Sequence, residues 1–131
     1  MSQVPSNPVA ALVLEWVQIA EADLDMARRE SGAQRPHLDQ VGFLYQQATE
    51  KLMKAVLTKK GVTPPKTHDL EVLDQLLGQF AIGPTASVQD LLKLSAAAVR
   101  FRYPGPRLTP ANVADLQRIA HSIWTILRPL V

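Results

Sequence analysis

The stretch that decides the fold is residues 38–60, LDQVGFLYQQATEKLMKAVLTKK. Its apolar residues Val41, Leu44, Ala48, Leu52, Ala55 and Val56 recur at intervals that place them on one face of an α-helix. Gly61 ends that helix. Val62-Thr63-Pro64-Pro65-Lys66 continues as a loop, because two prolines remove backbone donors and push the residues before them towards extended geometry. At about 100° per residue, Gln47, Lys51 and Lys54 fall within about 60° of one another. They lie beside the apolar stripe and therefore border the core.

Working outward, residues 8–30 form a helix with Leu12, Trp16, Ala20, Leu24 and Ala27 on its apolar face. Asn7 is placed to cap it with Pro8 at the first position, and Ser31-Gly32 to stop it through a left-handed glycine. Residues 69–77 carry Leu70, Leu73, Leu76 and Leu77 as a short third helix, with Thr67 as its cap and Gly78 as its end. Ser87 caps a fourth helix reaching Val99, in which Asp90 meets the positive end of the helix dipole. Thr109-Pro110 opens the last helix, where Val113, Leu116, Ala120, Ile123 and Leu127 share a face before Pro129 stops it. Trp16 and Trp124 sit on apolar stripes and are expected in the core or an interface. Five helical segments without a convincing strand predict one all-α domain over 1–131, an up-and-down bundle of four to five helices. The first seven residues and residues 31–36 are expected to be loose.

Composition removes whole classes of chemistry. The 131 residues include no Cys, which excludes disulfides, thiolate metal sites and thiol nucleophiles. His37, His68 and His121 fall in three different segments, so no metal site and no cofactor is expected. Glycines are scattered singly rather than gathered into a phosphate loop, and no serine sits in a nucleophile elbow. The longest aliphatic run, residues 9–14, falls far short of the roughly 20 residues that span a bilayer. No basic region opens the chain as in a secretory signal, so a cytoplasmic protein without membrane contact is expected. With 14 Lys+Arg against 12 Asp+Glu the net charge is only +2, so any anion site has to be a local cluster.

Three motifs stand in order: Phe43-Leu44-Tyr45-Gln46-Gln47-Ala48-Thr49-Glu50-Lys51-Leu52-Met53-Lys54-Ala55, then Lys66-Thr67-His68-Asp69-Leu70 after Gly61, then Arg102-Tyr103-Pro104. In that register, spanning residues 9–127, the sequence resembles the HEPN family. The resemblance implies a helical bundle, usually dimeric, associated with nucleotides and RNA. Many such bundles are encoded beside or fused to a minimal nucleotidyltransferase, which implies that partner class and a toxin–antitoxin-like pairing. Some members are metal-independent ribonucleases marked by an Arg followed, after four to six residues, by a His. That spacing is absent here, since Arg35 precedes His37 by two and Arg118 precedes His121 by three.

The residues themselves point to one candidate nucleotide or anion site formed by Lys51, Lys54, His68, Arg102 and Tyr103. Lys66 and His68 stand at the entrance of the third helix, where unpaired amides favour an anion. Arg100, Arg102 and Arg107 surround a ring able to stack on a base. The expectation is a non-catalytic module binding a nucleotide, RNA or a nucleotidyltransferase partner. The alternatives are a ribonuclease with an atypical site, pairing His68 with Arg100 or Arg102, and a plain helical interaction protein. Each bland reading also stands: Lys51 and Lys54 as a solvated flank, Thr67-His68-Asp69 as a capping turn with the imidazole on a backbone carbonyl, and Tyr103 as a packing plug. Glu50 and Lys54, four apart, read as an exposed surface pair. A homodimer is expected because Phe43, Tyr45 and Leu57 lie off the main stripe of the second helix.

Overall fold

A computed structural model of the chain describes residues 7–100 and 102–131, the side chain of Arg100 excepted. Of the first seven residues, expected to be loose, the first six lie outside them and Asn7 is the cap of the first helix. The described residues form five α-helices and no strand: α1 (Pro8–Ser31), α2 (Leu38–Lys59), α3 (Leu70–Gly78), α4 (Val88–Arg100) and α5 (Pro110–Leu127), followed by a 3-10 turn at Arg128–Leu130. No helix among them is long and apolar enough to cross a membrane.

Local chemistry sets most of the helix ends. The Asn7 side chain accepts from the Val9 amide ahead of Pro8, and Thr109 and Asn112 form a reciprocal capping box around Pro110. At the end of α2, Gly61 adopts φ +83 and the Val62 amide returns to the Leu57 carbonyl, a Schellman-type closure. Three ends differ from the sequence expectation. Gly32 keeps a right-handed φ of −85 and closes α1 by donating to the Arg28 and Arg29 carbonyls. Asp69, not Thr67, caps α3; the Thr67 hydroxyl accepts from Asp69 N instead. Pro129 lies within the terminal 3-10 turn, where its missing donor costs nothing in the first turn.

α2 is the centre of the bundle and packs against α1, α3, α4 and α5. As a consequence little of it faces outward: 16 of its 22 residues are buried. This overturns the reading of Tyr45 and Leu57 as surplus apolar surface. Both are in the core, 1% and 0% exposed, and Phe43 is half-buried. Burial pushes the Tyr45 hydroxyl above its ordinary pKa, with the Arg28 charge opposing the shift. Trp124 is buried and Trp16 half-buried.

Gly42 lets the chain entering α5 approach α2. A Cβ there would lie 2.6 Å from Leu108 Cδ1 and 3.2 Å from Leu116 Cδ1. The contact is pinned by Asp39, whose carboxylate accepts from Leu108 N at 2.9 Å and pairs with Arg107 Nη1 at 2.8 Å. Gly42→Val is therefore expected to cost about 1–3 kcal/mol through overpacking, read from the urea midpoint. An unchanged midpoint would show that the loop yields freely.

Candidate functional site

The five residues singled out from the sequence occupy two neighbourhoods. Lys54 and His68 converge on the carboxylate of Glu50. Lys54 Nζ lies 3.1 Å from Glu50 Oε2, and His68 Nδ1 lies 2.8 Å from Glu50 Oε1. Gln46 Nε2 donates both to Glu50 Oε1 and to the His68 carbonyl, each at 3.1 Å, and Gln47 donates to Gln46 Oε1. The Trp16 ring covers Lys54, with Nζ 5.8 Å from the ring centre. One turn away Lys51 pairs with Asp23 of α1 at 2.8 Å.

Two expectations change here. Glu50 and Lys54 form a buried pair, with side chains only 4% and 9% exposed, because α2 is enclosed by its neighbours. The His68 imidazole binds this carboxylate rather than a backbone carbonyl. The loop that brings His68 there is held by Leu70 N donating to Ser95 Oγ of α4.

Arg102 and Tyr103 follow α4 at the other end of the central helix. The Tyr103 carbonyl accepts from Arg107 Nη2, and the same guanidinium is paired with Asp39 near the start of α2. From Asp39 to Glu50 the rise of the helix is roughly 16 Å. Tyr103 is 64% exposed and lines a shallow hollow of about 250 Å³ with Val99, Pro104, Pro106 and Arg107. The structure thus brings Lys51, Lys54 and His68 together and sets Arg102 and Tyr103 apart from them. The Arg100 side chain, considered above as a partner of His68, lies outside the described residues. Arg118 is committed to Asp115 and Asp90 rather than to His121. Its hydrogen bond, with one from Lys93, holds the exposed Asp115 carboxyl below the usual carboxylate range.

A large cleft escaped the sequence reading. It encloses about 610 Å³ between α1 and α2 and is lined by Met26, Arg29, Glu30, His37, Gln40, Phe43 and Leu44. Its open surface is mostly apolar, and its polar groups are Arg29, Glu30, His37 and Gln40. On α2, Gln40, Phe43, Gln47, Lys51 and Lys54 share one side within about 80°. The cleft is therefore the open end of a seam that continues past Lys51 and Asp23 towards Lys54. The signal in the sequence was Met26 and Phe43, each apolar and each off its helix's main stripe. Among the described residues no three His, Asp or Glu gather in a way that would hold a metal ion.

Comparisons with known proteins agree with this architecture. A HEPN domain family model matches residues 13–130. Comparison with curated proteins gives no match. The fold is similar to that of TT1696 from Thermus thermophilus, with a TM-score of 0.69 at 16% identity over 91% of this chain and 98% of that one. With the family model running from the first helix to the last turn, the chain belongs to the HEPN domain family.

Proposed function

We propose that this HEPN domain is a non-catalytic module that binds a nucleotide or the end of an RNA along the α1–α2 seam. The observation that carries the reading is the apolar cleft with Arg29 on its rim. Met26 and Phe43 offer surface against which a base can lie. Arg29 pairs with Asp25 at 3.1 Å, and both side chains are more than half exposed. Such a pair contributes little, so the guanidinium is available to a phosphate. Lys51, next along the seam, would meet a phosphate only by sharing its ammonium with Asp23. Lys54 and His68 belong to the same reading as the seam's inner end, while the hollow at Tyr103, next in sequence to Arg102, offers a second base-sized surface after α4.

The test is a titration with adenosine monophosphate, inorganic phosphate and a short RNA at two salt concentrations. Arg29→Ala and Lys51→Ala are expected to weaken binding of all three and to flatten the salt dependence. Phe43→Ala is expected to cost about 1–3 kcal/mol for the base-bearing ligands and nothing for phosphate. Loss of binding in Tyr103→Ala but not in Phe43→Ala would move the site to the α4 side.

The same module is proposed to act as a homodimer and to partner a minimal nucleotidyltransferase in a toxin–antitoxin-like pair. The support for self-association is on α1, where Leu12, Ile19 and Met26 repeat every seven residues and are 43%, 43% and 55% exposed. Sedimentation at micromolar concentration is expected to give about twice the chain mass of 14.4 kDa. Ile19→Glu should return it to one chain mass with stability changed by under about 0.5 kcal/mol. A wild type that sediments as a monomer contradicts the dimer.

A further inference from the structure

The Glu50–His68 pair fixes the orientation of an exposed imidazole. A carboxylate only accepts hydrogen bonds, so His68 Nδ1, 2.8 Å from Glu50 Oε1, carries the proton. In the neutral ring the other nitrogen, Nε2, is then a lone-pair acceptor. The His68 side chain is 60% exposed while Glu50 is 4% exposed, so the working edge of the ring faces out and its anchor lies inside. Three further contacts fix the anchor. Lys54 holds the second carboxylate oxygen, and Gln46 ties Glu50 to the His68 backbone through one amide group. An imidazole oriented by a buried carboxylate is the arrangement by which proteins present a proton acceptor of fixed tautomer.

His37 provides the contrast within the same chain. Its Nδ1 lies 3.5 Å from Glu30, its side chain is 73% exposed, and the carboxylate is 32% exposed. Ring and anchor are both more open to solvent there.

We propose that Glu50 fixes the His68 ring so that its Nε2 receives the hydrogen bond of a ribose hydroxyl on the nucleotide bound along the seam. This rests on the nucleotide reading above. The Nδ1 proton remains on its hydrogen bond to Glu50, which keeps Nε2 as the accepting nitrogen.

Two measurements test it. The first uses the ligand-free chain. Nitrogen-15 chemical shifts of the imidazoles, recorded where the rings are neutral, should show His68 with Nδ1 protonated and Nε2 bare. Diethylpyrocarbonate should acylate His68 several-fold faster than His37, and Glu50→Gln should remove that advantage. Because Glu50→Gln leaves Lys54 buried without its partner, Glu50→Gln/Lys54→Met is read alongside it. A His68 protonated on Nε2, or a His68 rate equal to that of His37 in the wild type, overturns the pair. The second measurement compares adenosine monophosphate with its 2′,3′-dideoxy analogue. Wild type should bind the dideoxy compound about five- to tenfold more weakly, and His68→Phe should bind both equally. Equal affinity of wild type for the two ligands overturns the ribose assignment while leaving nucleotide binding intact. Absence of binding to either overturns both the assignment and the nucleotide reading, whatever the imidazole shifts show.

Discussion

Glu50→Ala should lose about 3–5 kcal/mol of stability, the cost of stranding a buried ammonium. Lys54 is 9% exposed at its side chain, and its ammonium donates to Glu50. Removing the carboxylate leaves that cation against the Trp16 ring, which recovers only part of the lost interaction. The same change frees His68 and Gln46 from their shared anchor. Equilibrium unfolding in urea gives the loss directly. The sharper comparison is Glu50→Leu/Lys54→Met, in which both charges go together and apolar groups of similar volume fill the space. That double variant is expected to be more stable than Glu50→Ala by at least about 2 kcal/mol. A single variant losing under about 1 kcal/mol would mean that water reaches Lys54 and that the pair behaves as a surface contact.

Leu57→Ala is expected to cost about 2–5 kcal/mol while leaving self-association untouched. Leu57 is 0% exposed and belongs to the common core with Leu52, Met53 and Leu70. Truncating it opens a cavity inside one chain, whereas an interface residue would change the sedimenting mass. Ile19→Glu is expected to do the reverse. If instead Leu57→Ala dissociated the protein with little loss of monomer stability, the central position of α2 would be in error.

These two residues also mark what the sequence could and could not reveal. Helix positions were legible because periodicity, Asn7-Pro8, Ser87 and Thr109-Pro110 all act locally. Enclosure of α2 was not, because a 3.6-residue period identifies one apolar face and says nothing about how many neighbours surround a helix. Hence Tyr45 and Leu57 read as surplus, and Glu50 with Lys54 read as a solvated pair. For the candidate site, the placement of Lys51 and Lys54 beside the core followed from angular arithmetic, and the structure keeps both there at low exposure. What arithmetic along one helix could not supply was the partner. Asp23 comes from α1, and Glu50 meets His68 only because the loop before α3 folds back along α2. The separation of Tyr103 from that cluster depends on Arg107 reaching Asp39, a contact between residues far apart in the chain whose signal is not local. The cleft beside Phe43 had a local signal in Met26 and Phe43, but only the antiparallel pairing of α1 with α2 joins them.

On the proposed function, the α1–α2 seam is a binding surface. The measurement that tests it most directly is amide chemical-shift mapping of the nitrogen-15-labelled chain during titration with adenosine monophosphate at low salt. Saturable shifts are predicted at Met26, Arg29, His37, Gln40 and Leu44, continuing to Lys51 and His68 along the seam, with a single dissociation constant fitting all of them. Shifts that fail to saturate, or that saturate only around Tyr103 and Arg107 beside Asp39, would contradict it.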